Sequence, residues 1–200
     1  ENIRRYIDKT SAPLREEADM AREISLVKDV YSYQARAIGA KLITDIRENI
    51  AVPINSVRMY QLLQNLVSNS VEACARAPEN NAGHIISISV RRASGNILLV
   101  VSDTGCGFRA EEKARAFNTS FSTKKDGTGI GLMTMKTIVK QELHGSIKLS
   151  DNQKDGRGTV FTITIPDSTW VVKKEGFVGI PPVMHMKCKE LIDFLQAAKP

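Results

Sequence analysis

The chain of 200 residues has little cysteine, few aromatic residues and no long apolar run. Its three cysteines, Cys74, Cys106 and Cys188, are widely spaced without a C-x-x-C pair, which argues against a disulfide framework or a structural zinc site. Aromatic residues make up 6% of the chain and hardly interleave with the dispersed basic residues, so a net charge of +6 favours a small anionic ligand over nucleic acid. No apolar run approaches the roughly 18 residues of a membrane span. We therefore expect a globular domain in a reducing, cytoplasmic compartment.

The phosphate-binding order G-x-x-x-x-G-K-[ST] is also missing from the sequence. Glycine is nevertheless concentrated in one stretch, DGTGIGL at residues 126–132, directly before an apolar helical pattern. Glycines at a helix start expose backbone N–H groups at the positive end of the helix dipole, where an anion binds favourably. The stretch predicts phosphate binding by a route other than a P-loop.

Hydrophobic periodicity predicts an α+β chain in which strands and helices mix without strict βαβ alternation. Helices are predicted from the N-cap Asp19 to Gly39, from the N-cap Ser56 to Ala77, near Glu111–Phe117, and from Thr128 to near Gly145. Strands are predicted at residues 41–49, 84–92, 96–103, 146–152 and 158–166. The pattern indicates a sandwich with helices on one face of a mixed sheet.

Three polar residues of the helix that starts near Ser56 share one face. Asn65, Asn69 and Glu72 lie at positions i, i+4 and i+7. The stripe is either a solvated helix surface or a ligand set, because an amide oxygen is a hard ligand that suits Mg²⁺ together with substrate phosphates.

Asp103 follows a buried strand and precedes Gly105 and Gly107 in NILLVVSDTGCGF. An ionised carboxylate only accepts hydrogen bonds, so a buried one can select a ligand with an exocyclic amine, such as adenine. Gly105, Gly107 and Ala110 also fit the dinucleotide fingerprint G-x-G-x-x-A. We reject that alternative because a long polar loop follows, whereas the fingerprint opens a helix.

Four segments in this order resemble the motifs of sensor histidine kinases: NLVSN the N box, DTGCG the first glycine box, FNTSFSTKK the phenylalanine box, and DGTGIGL the second glycine box. The wider ATP-binding superfamily includes type II topoisomerases, MutL mismatch-repair proteins and large heat-shock chaperones. The resemblance covers residues 19–166 and implies the Bergerat fold, a two-layer sandwich with a mostly antiparallel sheet of about five strands covered by three helices. It also implies ATP and Mg²⁺ as ligands, and a mobile lid that ends at DGTGIGL.

The resemblance also assigns roles to single residues. Asn69 resembles the Mg²⁺-binding asparagine, with Asn65 one turn earlier facing the phosphates. Asp103 resembles the residue that reads adenine, helped by Gly105, Gly107 and, through an ordered water, Thr159. Contacts to the phosphates and the rest of the nucleotide are expected from Lys124, Gly127, Thr128, Gly129, Gly131 and Leu132. The catalytic set is then Asn65, Asn69 and Lys124.

Three further side chains keep two interpretations each. Phe117 and Phe121 either pin the lid or simply fill the core. Glu72 either supports the site or belongs to a solvated helix face.

Position 65 bears on the reaction type. Superfamily members that hydrolyse ATP carry a glutamate there as a general base, and the amide of Asn65 cannot take a proton at neutral pH. Slow hydrolysis and phosphoryl transfer to a separate nucleophile are therefore expected. His84, His144 and His185 do not lie in the context of a phosphoacceptor histidine, so the acceptor is expected upstream or on another chain.

The expected organisation is an end of a phosphoacceptor hairpin or a linker (1–18), the ATP-binding catalytic domain (19–166) and a C-terminal extension of unknown role (167–200). Expected partners are that hairpin, which would make the full-length sensor a homodimer, and the receiver domain of a response regulator, without nucleic acid. Two alternatives stay open: a nucleotide-sensing module that transfers no phosphate, and an ATPase of the same superfamily.

Overall fold

The computed structural model describes residues 16–78, 83–117, 130–152 and 158–167. The described residues up to Pro166 belong to one compact unit, and Asp167 is the only described residue of a second unit, 167–200. Within the described ranges, no helix is both long and apolar enough to span a membrane.

The described residues form seven strands and four α-helices. The strands are β1 (Ala18–Asp19), β2 (Ala40–Ile46), β3 (Ala51–Val52), β4 (His84–Ala93), β5 (Asn96–Asp103), β6 (Ser146–Asp151) and β7 (Thr159–Pro166). The helices are α1 (Met20–Ala37), α2 (Ser56–Arg76), α3 (Ala110–Arg115) and α4 (Ile130–Thr137), and α4 continues as a π-helical turn, Ile138–Glu142.

Five of the strands form one sheet in the order β2-β4-β5-β7-β6. The pair β2–β4 is parallel and the three other pairs are antiparallel, which confirms the predicted mixed, mostly antiparallel sheet of about five strands. The hairpin between β4 and β5 turns at Ser94 and Gly95, both with positive φ.

The core lies between this sheet and helices α1, α2 and α4, in agreement with the predicted two-layer sandwich. Strands β4, β5 and β7 bury every second side chain, as a sheet with one covered face does. The inward residues are Ile86, Ile88, Val90, Ile97, Leu99, Val101, Phe161, Ile163 and Ile165. On α2 the side chains of Leu62, Leu63, Leu66 and Val67 are fully buried.

The predicted N-cap of α1 is confirmed, because Asp19 Oδ1 accepts hydrogen bonds from the backbone N–H groups of Ala21 (2.9 Å) and Arg22 (3.2 Å). The predicted N-cap of α2 is wrong by one residue. Asn55 caps this helix through its Oδ1, which accepts from Val57 N at 2.8 Å, and Ser56 is the first helical residue. Asparagine and serine are equally good caps, so propensity alone could not choose between neighbours.

The structure adds two features that the sequence did not predict. Strands β1 and β3, two residues each, pair antiparallel in a small separate sheet. The π-helical turn after α4 is tied to α2, because Arg58 Nε donates to both carboxylate oxygens of Glu142, at 3.0 and 3.1 Å.

Candidate functional site

Asp103 ends β5 with its carboxylate buried, and the whole residue is 1% exposed. Its Oδ1 accepts hydrogen bonds from the backbone N–H groups of Gly105 (2.9 Å) and Thr159 (3.2 Å). Its Oδ2 accepts one from Ser70 Oγ at 3.2 Å. The carboxylate is therefore held from three sides: by its own loop, by the start of β7 and by helix α2.

Burial raises the pKa of Asp103 to about 6, against the opposing effects of the hydrogen bonds from Gly105, Ser70 and Thr159 and of the nearby His84. At neutral pH the group is thus ionised and accepts hydrogen bonds only. Each carboxylate oxygen can accept about two hydrogen bonds, and Oδ2 receives one from the described residues. Oδ2 can therefore accept another donor, such as the amine of a bound base.

Thr159 supplies a second polar group at the same place. Its Oγ1 is buried and, among the described residues, has no hydrogen-bond partner. Buried side-chain polar atoms nearly always have a partner, either protein or water. The residue itself adjoins the Asp103 carboxylate, because the Thr159 backbone N–H donates to it. This arrangement suits the water-mediated role that the family resemblance assigns to Thr159.

The first glycine box packs directly against helix α2. A Cβ at Gly105 would lie 2.5 Å from the carbonyl carbon of Ala73, and Cys106 N donates to Ala73 O at 3.0 Å. Gly107 has φ +68, and a Cβ there would lie 3.2 Å from Gly158 O. Backbone atoms of the protein thus lie too close to both positions for a side chain, which is one reason for glycine there. Glycine would also let a bound base approach the backbone closely.

Two residues of this region were missed by the sequence analysis. Gly158 has φ +104, and a Cβ there would lie 2.0 Å from Asp103 O, so only glycine lets β7 begin here. Ser70 was missed although it offered a signal: it is a polar residue four positions after Leu66, on the apolar side of α2.

The predicted stripe on α2 is present, with Asn65, Asn69 and Glu72 all half-buried. Neither asparagine amide hydrogen-bonds to any of the described residues, and both are therefore available to a ligand. Glu72 Oε1 accepts from Ser68 Oγ at 3.2 Å, a contact within the helix that is compatible with both interpretations of Glu72.

The start of α4 meets this stripe. A Cβ at Gly131 would lie 3.4 Å from Asn65 Oδ1, so the end of the second glycine box lies against the N box. The side chain of Leu132 is buried in the core. Lys124, Gly127, Thr128 and Gly129 lie outside the described residues, as does Phe121.

Phe117 is partly buried against the core, and its carbonyl oxygen accepts from Lys136 Nζ of α4 at 2.9 Å. The packing agrees with the core-filling interpretation of Phe117. Of the predicted lid that ends at DGTGIGL, residues 118–129 lie outside the described residues.

In the part of the chain that the structure describes, no three carboxylate, imidazole or thiol side chains come together in a way that could hold a metal ion. Asn69 fits the alternative, in which Mg²⁺ takes a single hard protein oxygen and completes its shell with phosphate oxygens and waters.

Two of the three histidines lie among the described residues. His84 is buried at the start of β4, where its Nδ1 lies 3.1 Å from Thr104 O and 3.3 Å from Thr104 Oγ1. His144 is exposed, with φ 51, between the π-helical turn and Gly145. His185 lies outside the described residues.

The family model described as histidine kinase-, DNA gyrase B-, and HSP90-like ATPase matches residues 54–169 of this chain. The chain belongs to this family. The match starts just before α2 and includes the elements that carry Asn65, Asn69, Asp103 and Thr159. Together with the sensor histidine kinases that the chain resembles, it confirms the ATP-binding catalytic domain of a two-component sensor histidine kinase that the four motifs predicted.

Individual relatives agree with this assignment. The C4-dicarboxylate transport sensor protein DctS of Rhodobacter capsulatus is 33% identical over 167 residues, which is 82% of this chain and 25% of that protein. The chain therefore spans about a quarter of the length of this curated relative.

Solved structures share the fold of this chain. The catalytic domain of histidine kinase ThkA is 27% identical with a TM-score of 0.64, and the match covers 76% of this chain and 96% of that domain. A structure of ThkA in complex with the response regulator TrrA is 23% identical with a TM-score of 0.61, covering 84% of this chain and 47% of that one.

Proposed function

We propose that this domain binds Mg²⁺-ATP and transfers the γ-phosphate to a histidine on a separate helical hairpin. The phosphate then passes to an aspartate in the receiver domain of a response regulator. The single observation that carries the proposal is the buried carboxylate of Asp103 against α2, the helix that also carries Asn65 and Asn69. One end of the site suits adenine, and the other suits phosphates and a divalent cation.

Adenine recognition by Asp103 is supported by its burial and its remaining acceptor capacity at Oδ2. The exocyclic amine of adenine is a donor, whereas guanine has a carbonyl oxygen at the same ring position and would face the carboxylate with an acceptor. Thr159 Oγ1 would satisfy its hydrogen-bonding capacity through a water shared with the base.

The phosphates would lie toward Asn65 and the start of α4, where Gly131 comes close to the Asn65 side chain. Asn69 would hold Mg²⁺ through its amide oxygen. The bound metal would neutralise charge on the phosphate oxygens during transfer. Roles for Lys124, Gly127, Thr128 and Gly129 at the phosphates are part of the proposal on sequence grounds.

Transfer is favoured over hydrolysis because Asn65 occupies the position of the general base in the related ATPases. An amide does not accept a proton at neutral pH, so water near the γ-phosphate would not be activated. A positioned nucleophile that another segment supplies would react instead, with catalysis by orientation and charge stabilisation.

The acceptor histidine is proposed to lie outside these 200 residues. His84 is buried and engaged by Thr104, and His144 lies in a tight turn before Gly145. A hairpin of the full-length sensor, acting in cis or in trans, would supply the histidine and make the sensor a homodimer. The complex of ThkA with TrrA supports a response regulator as the next partner. The reaction uses ATP, so we assign the domain to the cytoplasm.

The test is phosphoryl transfer from radiolabelled ATP. The chain is incubated with Mg²⁺-ATP, first alone and then with a phosphoacceptor hairpin from the full-length sensor. The expected label appears on the hairpin and is acid-labile and alkali-stable, as a phosphohistidine is. Binding of ATP without any labelled hairpin would instead indicate a nucleotide-sensing module, and rapid release of phosphate would indicate an ATPase.

A further inference from the structure

Ser70 is fully buried on helix α2, and its hydroxyl reaches a residue 33 positions away in the chain. A serine within a helix usually bonds back to a carbonyl of the preceding turn or faces water. Here Ser70 Oγ lies 3.2 Å from Asp103 Oδ2, across the interface between the helix and the sheet. Since an ionised carboxylate has no proton to donate, the serine hydroxyl must be the donor.

The two oxygens of the Asp103 carboxylate are held differently. Oδ1 accepts from two backbone N–H groups, of Gly105 in the loop after β5 and of Thr159 at the start of β7. Within the described part of the chain, Ser70 is the only donor to Oδ2. Rotation about the terminal torsion of aspartate moves both oxygens, so the two bonds to Oδ1 already restrict that rotation. The bond from Ser70 adds a third restraint, and it acts directly on Oδ2, the oxygen that would meet the base.

We propose that Ser70 is a positioning residue for adenine recognition, whose hydroxyl orients the Asp103 carboxylate so that Oδ2 meets the exocyclic amine of the base. The inference rests on the proposed function, because it assumes that Asp103 reads adenine. Ser70 directly follows Asn69 on α2. The same helix would therefore connect the base-binding end of the site to the metal-binding end.

The same bond affects the ionisation of Asp103, because a hydrogen bond to the charged form favours that form. Two other titratable groups face the carboxylate: His84 of β4, which lowers its pKa, and Cys74 of α2. Burial raises the pKa of the Cys74 thiol to about 12, so this group stays neutral throughout the range in which Asp103 titrates. Without the Ser70 hydroxyl, the pKa of Asp103 should rise further.

The experiment compares Ser70→Ala with the parent chain in calorimetric titrations with two nucleotides. ATP carries the exocyclic amine, and purine riboside triphosphate lacks it. Ser70→Ala should weaken ATP by about tenfold, equivalent to one charge-assisted hydrogen bond, and purine riboside triphosphate by less than about threefold. The pH at which ATP affinity falls on acidification should also be higher in this variant, because its carboxylate is harder to ionise.

The matched control is Ser102→Ala. Ser102 precedes Asp103 on β5, but its hydroxyl pairs with Ser87 Oγ at 2.7 Å, on the alternate side of the strand. This variant should bind both nucleotides as the parent does.

If the parent chain binds ATP more tightly than purine riboside triphosphate, two results would overturn the positioning role. One is an equal loss of affinity for both nucleotides in Ser70→Ala, and the other is no loss of affinity for ATP. A parent chain that binds the two nucleotides equally would overturn the assignment of Asp103, and with it both proposals. The two failures are therefore distinguishable from the parent titrations alone.

Discussion

The backbone of Gly158 lies so close to the Asp103 carbonyl oxygen that a Cβ at Gly158 would stand 2.0 Å from that oxygen. The contact connects the start of β7 to the end of β5, and Asn152 Nδ2 donates to the same oxygen at 2.9 Å. The position of the Thr159 backbone N–H, and therefore of the Asp103 carboxylate, depends on this contact.

Gly158→Ala should consequently destabilise the fold by more than about 3 kcal/mol, because a backbone clash adds to the strain of a positive φ. Gly39→Ala is the matched control: Gly39 also has a positive φ, +68, but nothing lies within 4 Å of a Cβ there. Only the conformational strain of about 1 kcal/mol is expected for it. Urea denaturation of both variants measures the difference, and similar losses in the two would contradict the clash.

Asp103→Asn should stabilise the domain at neutral pH while it removes adenine recognition. The pKa of Asp103 is about 6 in the folded chain, above the ordinary 3.8, so the folded state binds more protons than the unfolded state between these values. The contribution of Asp103 to the free energy of unfolding is therefore highest below pH 4, falls as the pH rises to about 6, and stays constant at higher pH. Asparagine does not titrate and removes this cost, which reaches at most about 3 kcal/mol at pH 7.

Thermal unfolding of Asp103→Asn and of the parent chain from pH 4 to pH 7 checks this prediction. The variant should gain stability relative to the parent as the pH rises, and the two should converge near pH 4. A constant difference in stability across this pH range would show that burial does not raise the pKa of the Asp103 carboxyl. ATP affinity should fall by ~1–3 kcal/mol, because the amide donor of the introduced asparagine would face the donor of the base.

Asn69→Ala should weaken nucleotide binding only when Mg²⁺ is present. Removal of one protein ligand leaves the metal with phosphates and water, and we expect Mg²⁺-ATP to bind about tenfold less tightly. Titrations in Mg²⁺ and in EDTA separate the metal effect from a loss of fold. Gln64→Ala, at an exposed position of the same helix, is the control and should leave both titrations unchanged. If Asn69→Ala binds Mg²⁺-ATP normally, the polar stripe of α2 is only a helix surface.

The chain by itself should bind Mg²⁺-ATP and leave it largely unreacted. Asn65→Glu places a carboxylate where related ATPases carry their general base, and it should raise the rate of phosphate release by at least about tenfold. Asn65→Gln has nearly the same shape without a base and serves as the control. Phosphate release measured over time decides between them. Fast release by the parent chain, or equal rates in both variants, would contradict the role given to position 65.

Much of the fold and part of the site could be predicted because their signals are local. Strands β4, β5 and β7 alternate in burial every two residues, and α2 buries one side at helical spacing, so their patterns are visible within a few residues of sequence. The same periodicity put Asn65 and Asn69 on one face of α2. Asp103 could be recognised because it directly follows a buried strand and precedes two glycines.

The boundaries and the short elements were less predictable. Asn55 and Ser56 are both good caps, and which one begins α2 depends on how the chain enters the helix. Strands β1 and β3 have two residues each, too few to show any period, and they exist because their partners lie across the fold.

By itself, the sequence determined the family, the two-layer sandwich and the residue types at the nucleotide site. Only the tertiary structure decided how that site is held together. Ser70 meets Asp103 because α2 packs on the sheet, and Gly158 is required because β7 begins against the end of β5. These contacts join residues more than 30 positions apart, so no local pattern encodes them, and packing of helix on sheet and strand on strand creates them.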